Sequence, residues 1–116
     1  EYAARGSAYR KWSFGSTFSP EACNTRESGI QGTTKVDRYS QSESPFHLLD
    51  MTGNVWEWTR SAYGLDEMKV KGGSYLTYDE FCTIDQFNYF AQNRTLAHVG
   101  FRCCKSYSRK DDNFLL

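Results

Sequence analysis

Between residues 12 and 44 the chain offers no sustained period, only Ser, Thr, Gly, Asn and charge in close succession. Turn-forming residues recur there before a helical or strand face can build, so the segment reads as ordered loop. Residues 35–39 are the one stretch within it that suits a short strand. This constrains the fold more than any other feature, because each loop residue held in place costs on the order of 1–2 kcal/mol of backbone entropy. A chain of 116 residues has room for one domain and one modest core, burying about two-thirds of its unfolded surface. Two further anchors are available to the loops. One is the aromatic content, 16% of the sequence; the other is a bound hard cation.

Charge excludes some partners. Lys+Arg and Asp+Glu are equal at 14 each and no run of like charge occurs, so nothing marks a nucleic-acid partner. Mean hydropathy is -0.70. The longest apolar stretches are a few residues, against roughly 20 needed to cross a bilayer, and no signal-peptide core is present, so neither a membrane span nor a targeting segment is expected in this chain. The four cysteines, Cys23, Cys82, Cys103 and Cys104, fit no zinc spacing, and adjacent Cys103 and Cys104 are poorly placed to bridge each other. The compartment is left open, with an exported or lumenal one preferred.

Regular structure is sparse. Residues 1–10, EYAARGSAYR, form a helical run interrupted by Gly6 and beginning without a cap, which suggests a chain that is part of something longer. Val55, Trp56 and Trp58 give β-type composition between Gly53 and Gly64; residues 68–71 suit a second strand ended by Gly72-Gly73, and residues 98–103 a last one. Residues 74–90 are polar and aromatic with weak alternation, and residues 106–116 read as a tail. Short strands tied by long loops give an α+β fold with much irregular structure.

Three blocks in order, EYAARG, LLDMTGNVWEWT, and KGGSY followed by VGFRCC, resemble the formylglycine-generating enzyme (sulfatase-modifying factor) family over residues 1–105. The resemblance implies a C-type-lectin-like fold lacking its N-terminal portion, which an earlier segment or a separate chain would supply. It also implies calcium. Positions matching Asp50 and Glu57 bind calcium in the family through carboxylates, and those matching Gly53 and Val55 through carbonyls. On the residues alone Asp50 and Glu57 suit a hard-cation site or simple turn caps equally. A second calcium loop maps onto NTRESGIQGT: Asn24 as a side-chain ligand, Thr25 and Ile30 as carbonyl ligands, and Ser28 where aspartate is usual, with Glu27 beside it as a substitute carboxylate.

The chemistry of the family resembled comes from two cysteines just after GGS that hold copper(I). Here Thr77 stands at the first position and Cys82 at the second. A hydroxyl is a hard neutral ligand and does not replace a thiolate toward copper(I), so copper is not expected. Cys82 is then either the remaining catalytic thiol or a small buried apolar residue. His47 and His98 are too few for the histidine-bound iron of other superfamily members. The aromatic stretch, with Tyr75, Thr77, Tyr78, Phe81 and Phe90, corresponds to the family's substrate groove and is the candidate partner-binding surface, although core packing claims some of it. Asn93-Arg94-Thr95 is a glycosylation sequon. The expected function is a diverged, non-catalytic, calcium-stabilised module that binds a protein or peptide. The alternative is a copper-dependent oxidase converting a substrate cysteine to formylglycine.

Overall fold

The computed structural model describes residues 1–105; the expected tail at 106–116 lies outside the described residues. Helix α1 is Tyr2–Arg5, and strands β1 to β4 are Trp56–Ala62, Glu67–Lys71, Phe87–Ala91 and Val99–Gly100. The helix is shorter than the 1–10 run expected from its alanines. Gly6 ends it at φ 74°, and Pro45 packs so closely that a Cβ there would meet its ring at 3.0 Å.

The four strands form one mixed sheet in the order β3-β2-β1-β4. β1 and β2 pair antiparallel, with Glu57 opposite Lys71 and Trp58 opposite Val70, and β2 pairs antiparallel with β3. β4 joins β1 in parallel through Trp56–Val99 and Glu57–Gly100. Glycines bound β1 as expected, while the strand expected at 98–103 shortens to two paired residues, and 35–39 is a turn rather than a strand. Opposed residues share a face, so Trp58, Val70 and Asn88 lie on one side, and Glu57, Lys71 and Phe87 on the other.

The apolar core is small: Ala4, Trp12, Cys23, Trp56, Val70, Cys82 and Ile84. Ser13, Asn24, Thr25, Ser44, Thr52 and Ser74 are buried with it. Buried polar atoms must be satisfied internally, and here they knit the loops together. The Ser13 and Thr52 hydroxyls meet at 2.9 Å, and the Ser44 hydroxyl accepts from the Phe46 and Leu48 amides. Trp12 anchors the long loop by packing on Phe14 and Phe18, with its indole N–H donating to the Asp79 carbonyl at 3.0 Å. Among the described residues no helix is long and apolar enough to cross a membrane.

Candidate functional site

Residues 24–30 form a tight loop around a single 3-10 turn, Arg26–Ser28. Its first two residues are fully buried, and the strand-like pairing of Asn24 with Gly53 holds them. The Asn54 amide donates to the Asn24 carbonyl at 2.7 Å, and the Asn24 side-chain amide donates to the Gly32 carbonyl at 2.7 Å. The Ser28 hydroxyl lies 3.0 Å from Asn24 Oδ1 and 2.8 Å from the Thr25 carbonyl. One hydroxyl carries one proton, so it satisfies only one of these acceptors at a time. A cluster of converging oxygens short of a donor suits a hard cation, although every ligand in it is neutral. Glu27 does not supply the missing charge. Its carboxylate accepts from the Thr25 hydroxyl at 2.6 Å and from the Asp79 amide at 2.8 Å. Burial pushes the Glu27 carboxyl up, but those hydrogen bonds outweigh it and hold the group below the ordinary value.

The hairpin leading into β1 brings Asp50, Val55 and Glu57 to one cavity of about 480 Å³, also lined by His47, Phe101 and Arg102, whereas Gly53 pairs with Asn24. Asp50 sits at φ 54° and Gly53 at φ 75°. The Asp50 carboxyl is half-buried, and burial raises its pKa; Arg102 pulls it down and Glu57 pushes it up. Glu57 is already engaged. Arg102 Nε donates to its Oε1 and Nη2 to its Oε2, while the same Nη2 donates to the Leu49 and Asp50 carbonyls at 3.0 and 3.2 Å. A divalent cation there would meet the Asp50 carboxylate, while Glu57 and the Leu49 and Asp50 carbonyls are held by Arg102. No signal in the sequence ties Arg102 to this hairpin, because the partners stand 45 residues apart.

The thiol pocket lies beneath the Gly72-Gly73 turn. Gly73 has φ 79°, and any Cβ there would overlap the Cys82 sulfur. Cys82 Sγ donates toward the Thr77 carbonyl at 3.6 Å, and the Thr77 hydroxyl turns instead to the Ser74 hydroxyl at 3.0 Å. Burial, then the nearby Cys23, pushes the Cys82 thiol well above its ordinary range. Burial pushes Cys23 up to about 12. Both are neutral thiols at physiological pH, while Cys103 and Cys104 are exposed. The pocket thus offers the Cys82 sulfur with Cys23 nearby, both protonated, and a Thr77 hydroxyl that is engaged elsewhere and is a poor ligand for copper(I).

The candidate partner residues divide. Tyr78 and Phe81 are about half exposed, at 49% and 51%, with Leu76 beside them at 47%. Arg26 lies over the Tyr78 ring at 4.9 Å. The Tyr75 amide is tied to the Asn54 carbonyl and Thr77 is folded into its turn, whereas Phe90 packs against Trp58 and His98. His47 is exposed and pairs with Glu43 at 2.6 Å, so the histidines do not form a cluster. Sequence reasoning missed a second aromatic group, Tyr63 stacked on Tyr89 at 3.8 Å with Lys69 over Phe87. The alternation in FNYFA was its only signal.

A short mixed sheet carrying long loops, knitted by buried polar groups around two buried thiols, is the architecture of a loop-rich domain of the formylglycine-generating type. The chain belongs to the family described as the sulfatase-modifying factor enzyme 1-like domain, whose model matches residues 1–107. It is 31% identical over 104 residues to the mouse formylglycine-generating enzyme, covering 72% of this chain and 27% of that protein. It is 28% identical over 137 residues to the mouse inactive C-alpha-formylglycine-generating enzyme 2, covering 97% of this chain and 42% of that protein. Among solved structures, PvdO from Pseudomonas aeruginosa superposes with a TM-score of 0.74 at 20% identity, covering 86% of this chain and 47% of that one. Treponema denticola variable protein 1 superposes at 0.72 and 19%, covering 86% and 42%. The chain spans less than half the length of each of these relatives.

Proposed function

We propose that the chain acts as a non-catalytic module of its family that binds a protein or peptide partner. The observation that carries this is the thiol pocket: Thr77 stands where a cysteine would be needed and its hydroxyl is committed to Ser74, while Cys82 and the nearby Cys23 are buried and protonated. Similarity to a relative named as inactive supports the reading, although the chain also resembles relatives named as active enzymes. The partner surface is the exposed Leu76, Tyr78 and Phe81, which offer apolar and aromatic area on a turn pinned by the Asp79–Glu27 hydrogen bond. A segment equivalent to the rest of the relatives, within the same protein or on a separate chain, would complete the domain.

Calcium would support this module at two places. Asn24, Thr25, Ser28 and Ile30 would hold it in the loop, and Asp50, Gly53 and Val55 at the hairpin, with Glu57 joining where Arg102 yields it. A bound ion would cross-link loop segments whose ordering is otherwise costly. The experiment is turnover: the purified protein, loaded with copper under oxygen and a thiol reductant, is offered a cysteine-containing peptide, and aldehyde is captured with a hydrazide. The module reading expects none above a Cys82→Ser control; aldehyde formation that depends on Cys82 would establish the oxidase instead.

A further inference from the structure

The hairpin holds a cation of its own. The parallel pairing of Gly100 with Glu57 delivers Arg102, two residues further on, to the far side of the Glu57 carboxylate. Its guanidinium then meets four acceptors: both Glu57 oxygens and the Leu49 and Asp50 carbonyls. The Glu57 side chain is 16% exposed and that of Arg102 38%, so the pair is shielded from water on the carboxylate side only. A planar fork on a carboxylate is the strong, oriented form of ion pair. Two cations cannot share that carboxylate closely without strong repulsion in a partly buried site.

We propose that Arg102 competes with calcium for Glu57, so that the hairpin is by default an arginine-held site of weak calcium affinity and the 24–30 loop is not subject to this control. The inference rests on the calcium reading of the hairpin given above. In the arginine-held state β4 is fastened to the segment before β1 through Leu49 and Asp50. Calcium at Glu57 requires that fastening to open, which couples the end of β4 to the cation content of its surroundings.

Calorimetric titration with calcium chloride tests this on the native chain, Arg102→Gln, Arg102→Lys and Asp50→Asn, each checked for folding by circular dichroism. The hairpin component is the binding lost in Asp50→Asn. Arg102→Gln is expected to tighten that component about tenfold or more, since the lost pair is a charge-assisted one. Arg102→Lys, which keeps the charge but not the fork, is expected to fall between, and stands as the test should Arg102→Gln fail to fold. Equal or weaker calcium affinity in both Arg102 variants would overturn the competition while leaving the calcium reading intact. Absence of calcium binding in every protein would overturn both.

Discussion

Alanine at Gly53 and alanine at Gly29 impose the same backbone penalty, but only one of them a collision. Both glycines are left-handed, at φ 75° and 69°, where a residue with a Cβ pays about 1 kcal/mol. At Gly29 the new methyl meets nothing within 4 Å. At Gly53 it would overlap the Asn24 carbonyl oxygen, lie 2.8 Å from the carbonyl carbon and 3.1 Å from Thr25 Cγ2. Neither neighbour can give way cheaply, because Asn24 and Thr25 are fully buried backbone in the strand-like pairing with Gly53. Relief means parting that pairing and breaking the bond from the Asn54 amide to the Asn24 carbonyl. Leaving a buried polar group unpaired adds about 1–3 kcal/mol. Gly53→Ala should therefore cost roughly 2–4 kcal/mol in all, and Gly29→Ala about 1 kcal/mol or less, part of it returned through the unfolded state. Urea titration followed by tryptophan fluorescence reads both, and thermal melts should fall by roughly 10 °C or more for Gly53→Ala. Equal losses in the two variants would refute the view that Gly53 is the pin joining the 24–30 loop to the hairpin.

Thiol accessibility should split cleanly. Ellman's reagent on the folded protein should modify Cys103 and Cys104 quickly and reach Cys23 and Cys82 only after denaturation, given their burial and raised pKa values; rapid modification of Cys82 would contradict its placement under Gly73. The bond from Lys71 to Glu1 at 2.7 Å lowers the Glu1 carboxyl pKa from its ordinary 4.5, through that hydrogen bond first. Its contribution is thus present above pH 4.5 and lost as pH falls through the lowered folded value. Because Glu1 is half exposed, Glu1→Gln should cost no more than about 1 kcal/mol at neutral pH. That difference should vanish in acid and shrink in high salt, and chemical denaturation at several pH values checks it.

Strands β1 and β2 were legible because aromatic and β-branched residues fall between glycines that stop them, as at Trp56–Ala62, whereas β3, Phe87–Ala91, was hidden in a polar-aromatic stretch of weak alternation. The loops were legible as loops but not in their fastening. Trp12 packing on Phe14 and Phe18, and Ser13 meeting Thr52, join residues with no shared period. Helix α1 stopped early because a glycine conformation packed against Pro45 outweighs alanine propensity. At the candidate site Asp50, Val55 and Glu57 share one cavity, since local turns with positive φ at Asp50 and Gly53 shape the segment before β1, while Gly53 itself pairs with Asn24. What spacing could not reveal was each residue's other commitment: Glu57 to Arg102, Glu27 to Asp79, and Thr77 to Ser74. Phe90 shows the same limit, a member of the aromatic stretch that packs against Trp58 and His98.

At the pocket below Gly73, where Thr77 stands in place of a cysteine, Cys82 and its buried neighbour Cys23 are not expected to hold copper(I) together. Competition titration of copper(I) against a chromophoric chelator measures this directly, in a protein whose exposed thiols are removed as Cys103→Ser and Cys104→Ser. The chelator is expected to keep the copper, and adding Cys82→Ser to change nothing. Tight, stoichiometric binding that disappears with Cys82→Ser would contradict it.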